Sequence, residues 1–444
     1  MNKIIDFPRV LIIYNSRINT YDQHGVSIRG WFADWPKENL AQIYSGGEVG
    51  EFSYSGYNFK LGPKERRFGN IFLKLKGSSI GQSSYTITLT ENFSQLKKLS
   101  YWSLFKNRIS EWVIISGFWE LIFKPKLSKE LVNFVRDFEP HIIYCQGYSL
   151  TFSWIPVMLN KKINVPICFQ TGDDWPSNLY KNTPFSTLIR PIVQKAVKEL
   201  FNRSSIRLAN GIPMAKEYMA KYGANFEPLM MCDNLKRFKE VDERRLVKNS
   251  AFSIIYTGNL GSDRWTTIID LSKAVNMLVN KGFDILVTVF AITIPPEAVG
   301  ELQKCNNIQI LPNPTHEELP SYLKGADILF LPESFDSEQA RSISLSISTK
   351  AHLYMMSEKP ILVYAPSITG TVKYAMEEGW AHIVQEKGSD KLAKAILFLL
   401  ENKKYCSALV SKGIEVAAKN HDELKVRAKF LTRLSGLKTN QENR

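Results

Sequence analysis

Cysteine is scarce and scattered in this chain of 444 residues: Cys145, Cys168, Cys232, Cys305 and Cys406 are odd in number, and no two stand at C-x-x-C spacing. That pattern excludes a disulfide framework and a cysteine zinc site, and it points to a reduced compartment. Long apolar runs are also missing. The stretch from Trp112 to Phe123 is interrupted by Glu120 and falls short of the ~20 residues that a spanning helix needs. Met1-Asn2-Lys3 passes almost at once into Val10–Tyr14, with no long leader-like apolar region. The expectation is a cytoplasmic chain, at most peripheral on the inner face of the cell membrane. No G-x-x-x-x-G-K-[ST] loop and no full G-x-G-x-x-G occurs, which argues against P-loop hydrolysis and dinucleotide redox chemistry. Solenoid repeats and low-complexity tracts are absent too.

What is present is ordinary globular material, 44% hydrophobic and 23% charged, with a formal net charge of +14. The length exceeds what one core serves, so two domains are expected. A positive excess of this size favours an anionic partner surface, either nucleic acid or the inner leaflet of a membrane.

Strand and helix signals alternate along both halves. In the first, Val10–Tyr14, Asn39–Tyr44, His141–Cys145, Val165–Gln170 and Ser205–Ala209 read as strands. In the second, Ser253–Thr257, Ile285–Ala291, Ile308–Leu311, Ile328–Leu331, Ile361–Tyr364 and Ile383–Val384 do so, with helices between them. Such alternation implies βαβ units and mainly parallel sheets. The predicted class is α/β, with two Rossmann-like doubly wound domains facing a central cleft. The domains are expected at 1–235 and 251–420, joined by a charged linker at 236–250, with 421–444 forming a helix that crosses back. Ligands of open α/β sheets bind beyond the carboxyl ends of the strands.

Ser348-Thr349-Lys350-Ala351-His352-Leu353-Tyr354-Met355 is the most informative stretch. Ser348 reads as an N-cap, and Thr349 and Lys350 open the helix. Backbone N–H groups, the helix dipole and one cation then converge where a diphosphate fits. Gly258 and Gly261, in a turn between strand and helix, allow backbone to approach a phosphate closely.

The second half resembles the donor domain of glycosyltransferase family 4. The resemblance runs through Tyr256-Thr257-Gly258-Asn259-Leu260-Gly261, His316-Glu317-Glu318-Leu319-Pro320 and Ala326-Asp327-Ile328-Leu329-Phe330-Leu331-Pro332. It continues through Ser348-Thr349-Lys350 and Lys359-Pro360-Ile361-Leu362 to Asn420-His421-Asp422, over roughly residues 251–435. It implies the GT-B architecture and a nucleotide-sugar donor held by Gly258, Asn259, Arg264, Ser348, Thr349 and Lys350. Two glutamates that the family commonly carries fall on Leu345 and Leu353, and its basic residue after the first strand falls on Asn259, which leaves Arg264 as the nearest cation.

In the first half, Gln170-Thr171-Gly172-Asp173-Asp174-Trp175-Pro176 lies just past a strand. It resembles the family's cleft loop, with Gln170 in place of a histidine. Asp173 and Asp174 are the candidate catalytic carboxylates, able to orient an acceptor hydroxyl or take its proton. An Asx-type helix cap is the competing role. Gln170, His24 and Gly25 are the acceptor-side candidates. There is no Asp-x-Asp pair for a GT-A metal site, and neither metal nor cofactor is expected, the nucleotide-sugar being a co-substrate.

The 97–126 region carries Tyr101, Trp102, Phe105, Trp112, Phe118, Trp119 and Phe123 with lysines and arginines near its ends. Aromatic bodies with basic flanks suit an anionic membrane surface; a helix buried against the first sheet is the alternative. The resemblance implies a retaining glycosyltransferase that extends a glycan or lipid-linked acceptor in bacterial surface polysaccharide synthesis, with no nucleic acid involved. A GT-B-fold sugar-nucleotide epimerase, and a non-catalytic binder of nucleotide-sugar or nucleic acid, stand as alternatives.

Overall fold

The computed structural model describes residues 7–18, 23–46, 54–69, 116–246 and 251–442. They fall into two compact units. The first comprises the described residues up to Ala209, together with Tyr218–Glu227 and those from Phe430 onward; the second comprises Asn210–Glu217 and Pro228–Lys429.

The first unit is built on β1 (Val10–Ile13), β2 (Leu40–Tyr44), β3 (Tyr57–Lys60), β4 (Ile142–Cys145), β5 (Ile167–Thr171), β6 (Ser204–Ala209) and β7 (Glu227–Pro228). Their order is β3-β2-β1-β4-β5-β6-β7, and the pairings from β3 to β6 are parallel. Every residue of β1, β2, β4 and β5 is buried. This is why these strands read as unbroken apolar runs: helices cover both faces of a parallel sheet, so neither face alternates with solvent. Phe32, Trp35, Tyr144 and Phe430 pack edge-on in one cluster, with Phe32 and Phe430 5.0 Å apart.

The second unit repeats the plan with β8 (Phe252–Gly258), β9 (Ile285–Ala291), β10 (Ile308–Pro312), β11 (Ile328–Pro332), β12 (Ile361–Tyr364) and β13 (His382–Val384). Their order is β10-β9-β8-β11-β12-β13 and every pairing is parallel. One hydrophobic core lies under the helices Arg264–Val279 and Ser389–Glu401. A second core, on other strand positions, gathers Leu329, Leu331, Tyr354, Met355 and Val416. In each unit the strand order reverses beside the first strand, between β1 and β4 and between β8 and β11, so the loops that follow those strands are the places for a ligand.

The predicted strands all form, with ends shifted by one or two residues. β3 and β7 are additional. β3 is largely exposed and polar, and β7 has only two residues; neither leaves an apolar run to detect. The five cysteines carry free thiols, with Cys145 and Cys168 buried on β4 and β5. None of the described helices is long and apolar enough to cross a membrane.

Candidate functional site

β8 ends at Gly258, whose φ of +133° is strained for a side chain. A Cβ placed there would lie 2.2 Å from Cε of Lys350 and 3.0 Å from its Nζ. The glycine therefore supplies the space into which Lys350 reaches. The ammonium lies 5.4 Å from the centroid of the Tyr256 ring, and the Tyr256 hydroxyl donates to the carbonyl of Asn259 at 2.7 Å. Among the described residues Lys350 forms no hydrogen bond or ion pair through its side chain. Burial, and then the like charge of Arg264, lower its pKa from 10.5 to about 8, while Glu333 opposes the shift.

Arg264 opens the helix that follows this turn, and its Nε donates to Glu333 Oε2 at 2.8 Å. Glu333 follows the last residue of β11 and is 3% exposed. The pair thus joins the loops after β8 and β11, across the point where the strand order reverses. Glu333 holds the guanidinium charged, its attraction outweighing burial. The side-chain oxygen of Asn259 accepts the N–H of Gly261 and fixes the turn between them.

The Ser348–Lys350 segment departs from its expected form. The helix runs only over Ala351–Met356, six residues, with Lys350 at the N-cap position and no side-chain cap. The N–H of Ser348 donates to the Thr371 hydroxyl at 2.9 Å, so it is not one of a row of open donors. A helix of so few residues sums little dipole, and the cation of Lys350 becomes the main attraction at this point. Gly258, Asn259, Arg264 and Lys350 converge, with Ser348 and Thr349 directly preceding the lysine. Glu333 joins them without having been foreseen. Its partner lies 69 positions away in sequence, and it follows an apolar strand with no local pattern to mark it.

In the first unit, the residues after β5 are drawn into the protein. Asp174 Oδ1 accepts from the Ser177 and Tyr218 hydroxyls, each at 2.7 Å, and the residue is 9% exposed. Asp173 Oδ1 accepts the N–H of Trp175 at 3.0 Å, and its carbonyl accepts the Thr171 hydroxyl at 2.6 Å. These contacts give both carboxylates a share in building the turn, the cap-like role weighed above. Gln170 is 1% exposed; its Oε1 accepts from Gln146 Nε2 at 2.6 Å and from the Tyr144 hydroxyl at 3.2 Å. Gly25 is buried within the helix Gln23–Trp31; His24 lies in its first turn, and the side chain of His24 is outside the described residues.

Of the aromatic-basic region, 97–115 lies outside the described residues. From 116 onward, Phe123 is buried, whereas Phe118 and Trp119 are half-buried. Trp119 and Phe123 stand 4.2 Å apart, Phe123 is 3% exposed, and Lys124 sits over the Trp154 ring at 4.7 Å. Glu120, which breaks the apolar run in sequence, is buried. It accepts the N–H groups of Leu150 and Thr151 at 3.0 and 2.9 Å and the Tyr180 hydroxyl at 2.7 Å. It thereby joins the N-cap residue Ser149, which accepts the N–H of Phe152, in satisfying the first N–H groups of the helix Leu150–Ile163.

Comparison of the whole chain with solved structures bears on the architecture. A sucrose-phosphate synthase from Thermosynechococcus elongatus matches at TM-score 0.63 and 12% identity, over 96% of this chain and 98% of that one. A trehalose 6-phosphate synthase from Burkholderia multivorans matches at TM-score 0.60 and 12% identity, over 98% of each chain. HepE of Anabaena, crystallised with UDP and glucose, matches at TM-score 0.56 and 11% identity, over 96% of this chain and 99% of that one. The fold is GT-B. No protein-family model matches the chain, and no curated protein matches it by sequence. In GT-B terms, the β8–β11 switch point of the second unit carries the cluster of Gly258, Arg264, Glu333 and Lys350.

Proposed function

We propose that this chain is a glycosyltransferase that takes a sugar from a nucleoside-diphosphate donor, and that the second unit holds the donor. One observation carries the reading. The ammonium of Lys350 is enclosed by Gly258 and the Tyr256 ring, and no anion among the described residues receives it. Lys350 is half-buried; a cation drawn partly out of water with no anionic partner costs free energy, and a ligand that supplies the partner offsets that cost. A diphosphate does so, with Arg264 as the second cation and the glycine turn giving the phosphate close access to backbone.

The Anabaena structure bound to UDP and glucose supports a nucleotide-sugar as the ligand class. The sequence blocks described above support membership of glycosyltransferase family 4, a retaining reaction, and a glycan or lipid-linked acceptor in bacterial surface polysaccharide synthesis. In this reading the charge that develops on the leaving diphosphate is met by Lys350 and Arg264, preorganised cations in a site of low dielectric. On the acceptor side, Asp174 acts as a positioning residue for the loop after β5. Asp173 is the carboxylate proposed to touch the acceptor, with His24, Gly25 and Gln170 as the further acceptor-side candidates.

The test is thermal unfolding and calorimetry against UDP, GDP, ADP and CDP and their sugars, followed by transfer assays with membrane and glycan fractions. A selective stabilisation that disappears in Lys350→Ala is expected. Equal binding by the variant would remove the donor-site assignment, and binding without transfer or epimerisation would reduce the protein to a nucleotide-sugar binder.

A further inference from the structure

We propose that Glu333 sets the charge of the diphosphate site. It holds the Arg264 guanidinium in position and offsets one of the site's two cations, so that the spent nucleoside diphosphate leaves instead of being retained. The inference rests on the donor-site reading given above.

An acid at this place calls for a reason. A carboxylate beside an anion site repels the ligand, and one that is 3% exposed lies where water screens that repulsion least. Glu333 cannot easily turn away. Its Oε2 is bonded to Arg264 Nε at 2.8 Å. The residue after it, Ser334, donates its hydroxyl to Asp263 Oδ2 at 3.3 Å, which ties the loop after β11 to the start of the helix Arg264–Val279. Among the described residues, the one other hydrogen bond of the guanidinium is a long one, Arg264 Nη1 to the Gly261 carbonyl at 3.5 Å. The anchor of Arg264 is therefore Glu333.

The charged groups felt at Lys350 are Arg264 and Glu333. With Glu333 charged, this cluster, to which Asp263 also contributes through Ser334, carries about one positive charge less than without it. The lower charge weakens the grip on a free nucleoside diphosphate. It costs less against the sugar-bearing donor, whose diphosphate has no terminal ionisable oxygen and carries less negative charge. The carboxylate thus favours exchange of product for donor, while the bond to Nε keeps the guanidinium aimed.

Two substitutions separate the two roles. Glu333→Gln keeps an oxygen for Arg264 Nε and removes only the charge, whereas Glu333→Ala removes both. Dissociation constants for UDP, GDP, ADP and CDP are to be measured by calorimetry on the full chain at two ionic strengths, with product inhibition and kcat wherever transfer is detected. Glu333→Gln should bind the preferred diphosphate at least tenfold tighter, with a steeper salt dependence, stronger product inhibition and a lower kcat. Glu333→Ala should bind it less tightly than Glu333→Gln, because the guanidinium is no longer held. If Glu333→Gln does not fold, Glu333→Met supplies an uncharged side chain of similar length. Diphosphate binding in the wild type with unchanged or weaker binding in the uncharged variant overturns the role of Glu333 alone. Failure of the wild type to bind any nucleoside diphosphate overturns the donor site and this inference together.

Discussion

If Lys350 receives a diphosphate, donor affinity must depend on pH in a way set by the surroundings of the lysine. In the free protein its pKa is lowered from 10.5 to about 8, by burial first and by Arg264 second. Binding a dianion next to it restores the charged form. Below pH 8 the ammonium is already protonated, and affinity should be flat. Above pH 8 the free protein has lost the proton and must regain it on binding, so affinity should fall by roughly tenfold per pH unit. At pH 9 the loss is about elevenfold, or about 1.4 kcal/mol. The ligand does not confuse the measurement from pH 8 upward, because a terminal phosphate ionises near pH ~6 and is essentially fully charged there. Calorimetry in two buffers of different ionisation heat reads the proton directly, with uptake of about 0.5 and 0.9 per site at pH 8 and 9. Lys350→Arg carries a charge that does not titrate, and its affinity should stay level to pH 9.5. A wild-type dissociation constant that does not change between pH 7 and 9.5 would refute the reasoning. An identical fall in Lys350→Arg would do the same.

The same shift has a cost in folding. A lysine whose pKa drops from 10.5 to about 8 on folding lowers stability at pH 7 by about 3 kcal/mol. Lys350→Met should therefore raise the urea midpoint while abolishing diphosphate binding. The gap to wild type should be full below pH 8 and close between pH 8 and 10.5. Gly258→Ala places a methyl group 2.2 Å from Lys350 Cε at a φ of +133°; it should cost about 1–3 kcal/mol and remove diphosphate affinity with the lysine displaced. A stable Gly258→Ala chain of normal affinity would show that the close approach is unimportant. Glu120→Ala strips the acceptor from two helix N–H groups and from Tyr180; denaturant melts should show a loss of about 3 kcal/mol, and a loss under about 0.5 would mean that water replaces the carboxylate.

The apolar strands of both sheets were legible in the sequence because parallel strands covered on both faces are short unbroken runs of buried residues. Gly258 was legible as well, since a glycine closing such a run marks a turn whatever the ligand. Three things were not. The helix after Lys350 is shorter than its pattern suggests: it begins only at Ala351, with Lys350 rather than Ser348 at the N-cap position and no side chain capping it. Asp174 reads as a catalytic candidate or a helix cap beside Asp173, and the sequence does not show that two hydroxyls draw it inward, one of them from Tyr218, forty-four positions along the chain. Glu333 shows no sign of its role until the sheet order brings β11 beside β8 and its carboxylate beside Arg264. Local spacing reports faces of helices and strands; it carries no information about which strand ends become neighbours.

Phe430 has a consequence for how the protein is made. This residue and Leu434 are essentially fully buried, and Phe430 lies against Phe32, Trp35 and Tyr144 in the first unit. A ribosome synthesises the residues of β1 to β7 long before it reaches Phe430. At ~5–20 residues per second, the roughly 200 intervening residues keep that aromatic cluster incomplete for about 10–40 s. The second unit is contiguous apart from Asn210–Glu217, and all its residues have been made by Lys429. The nascent chain must shelter the open aromatic surface of its first half until the helix Glu423–Glu442 is released. Chaperone demand during translation therefore falls on the half of the protein that is made first.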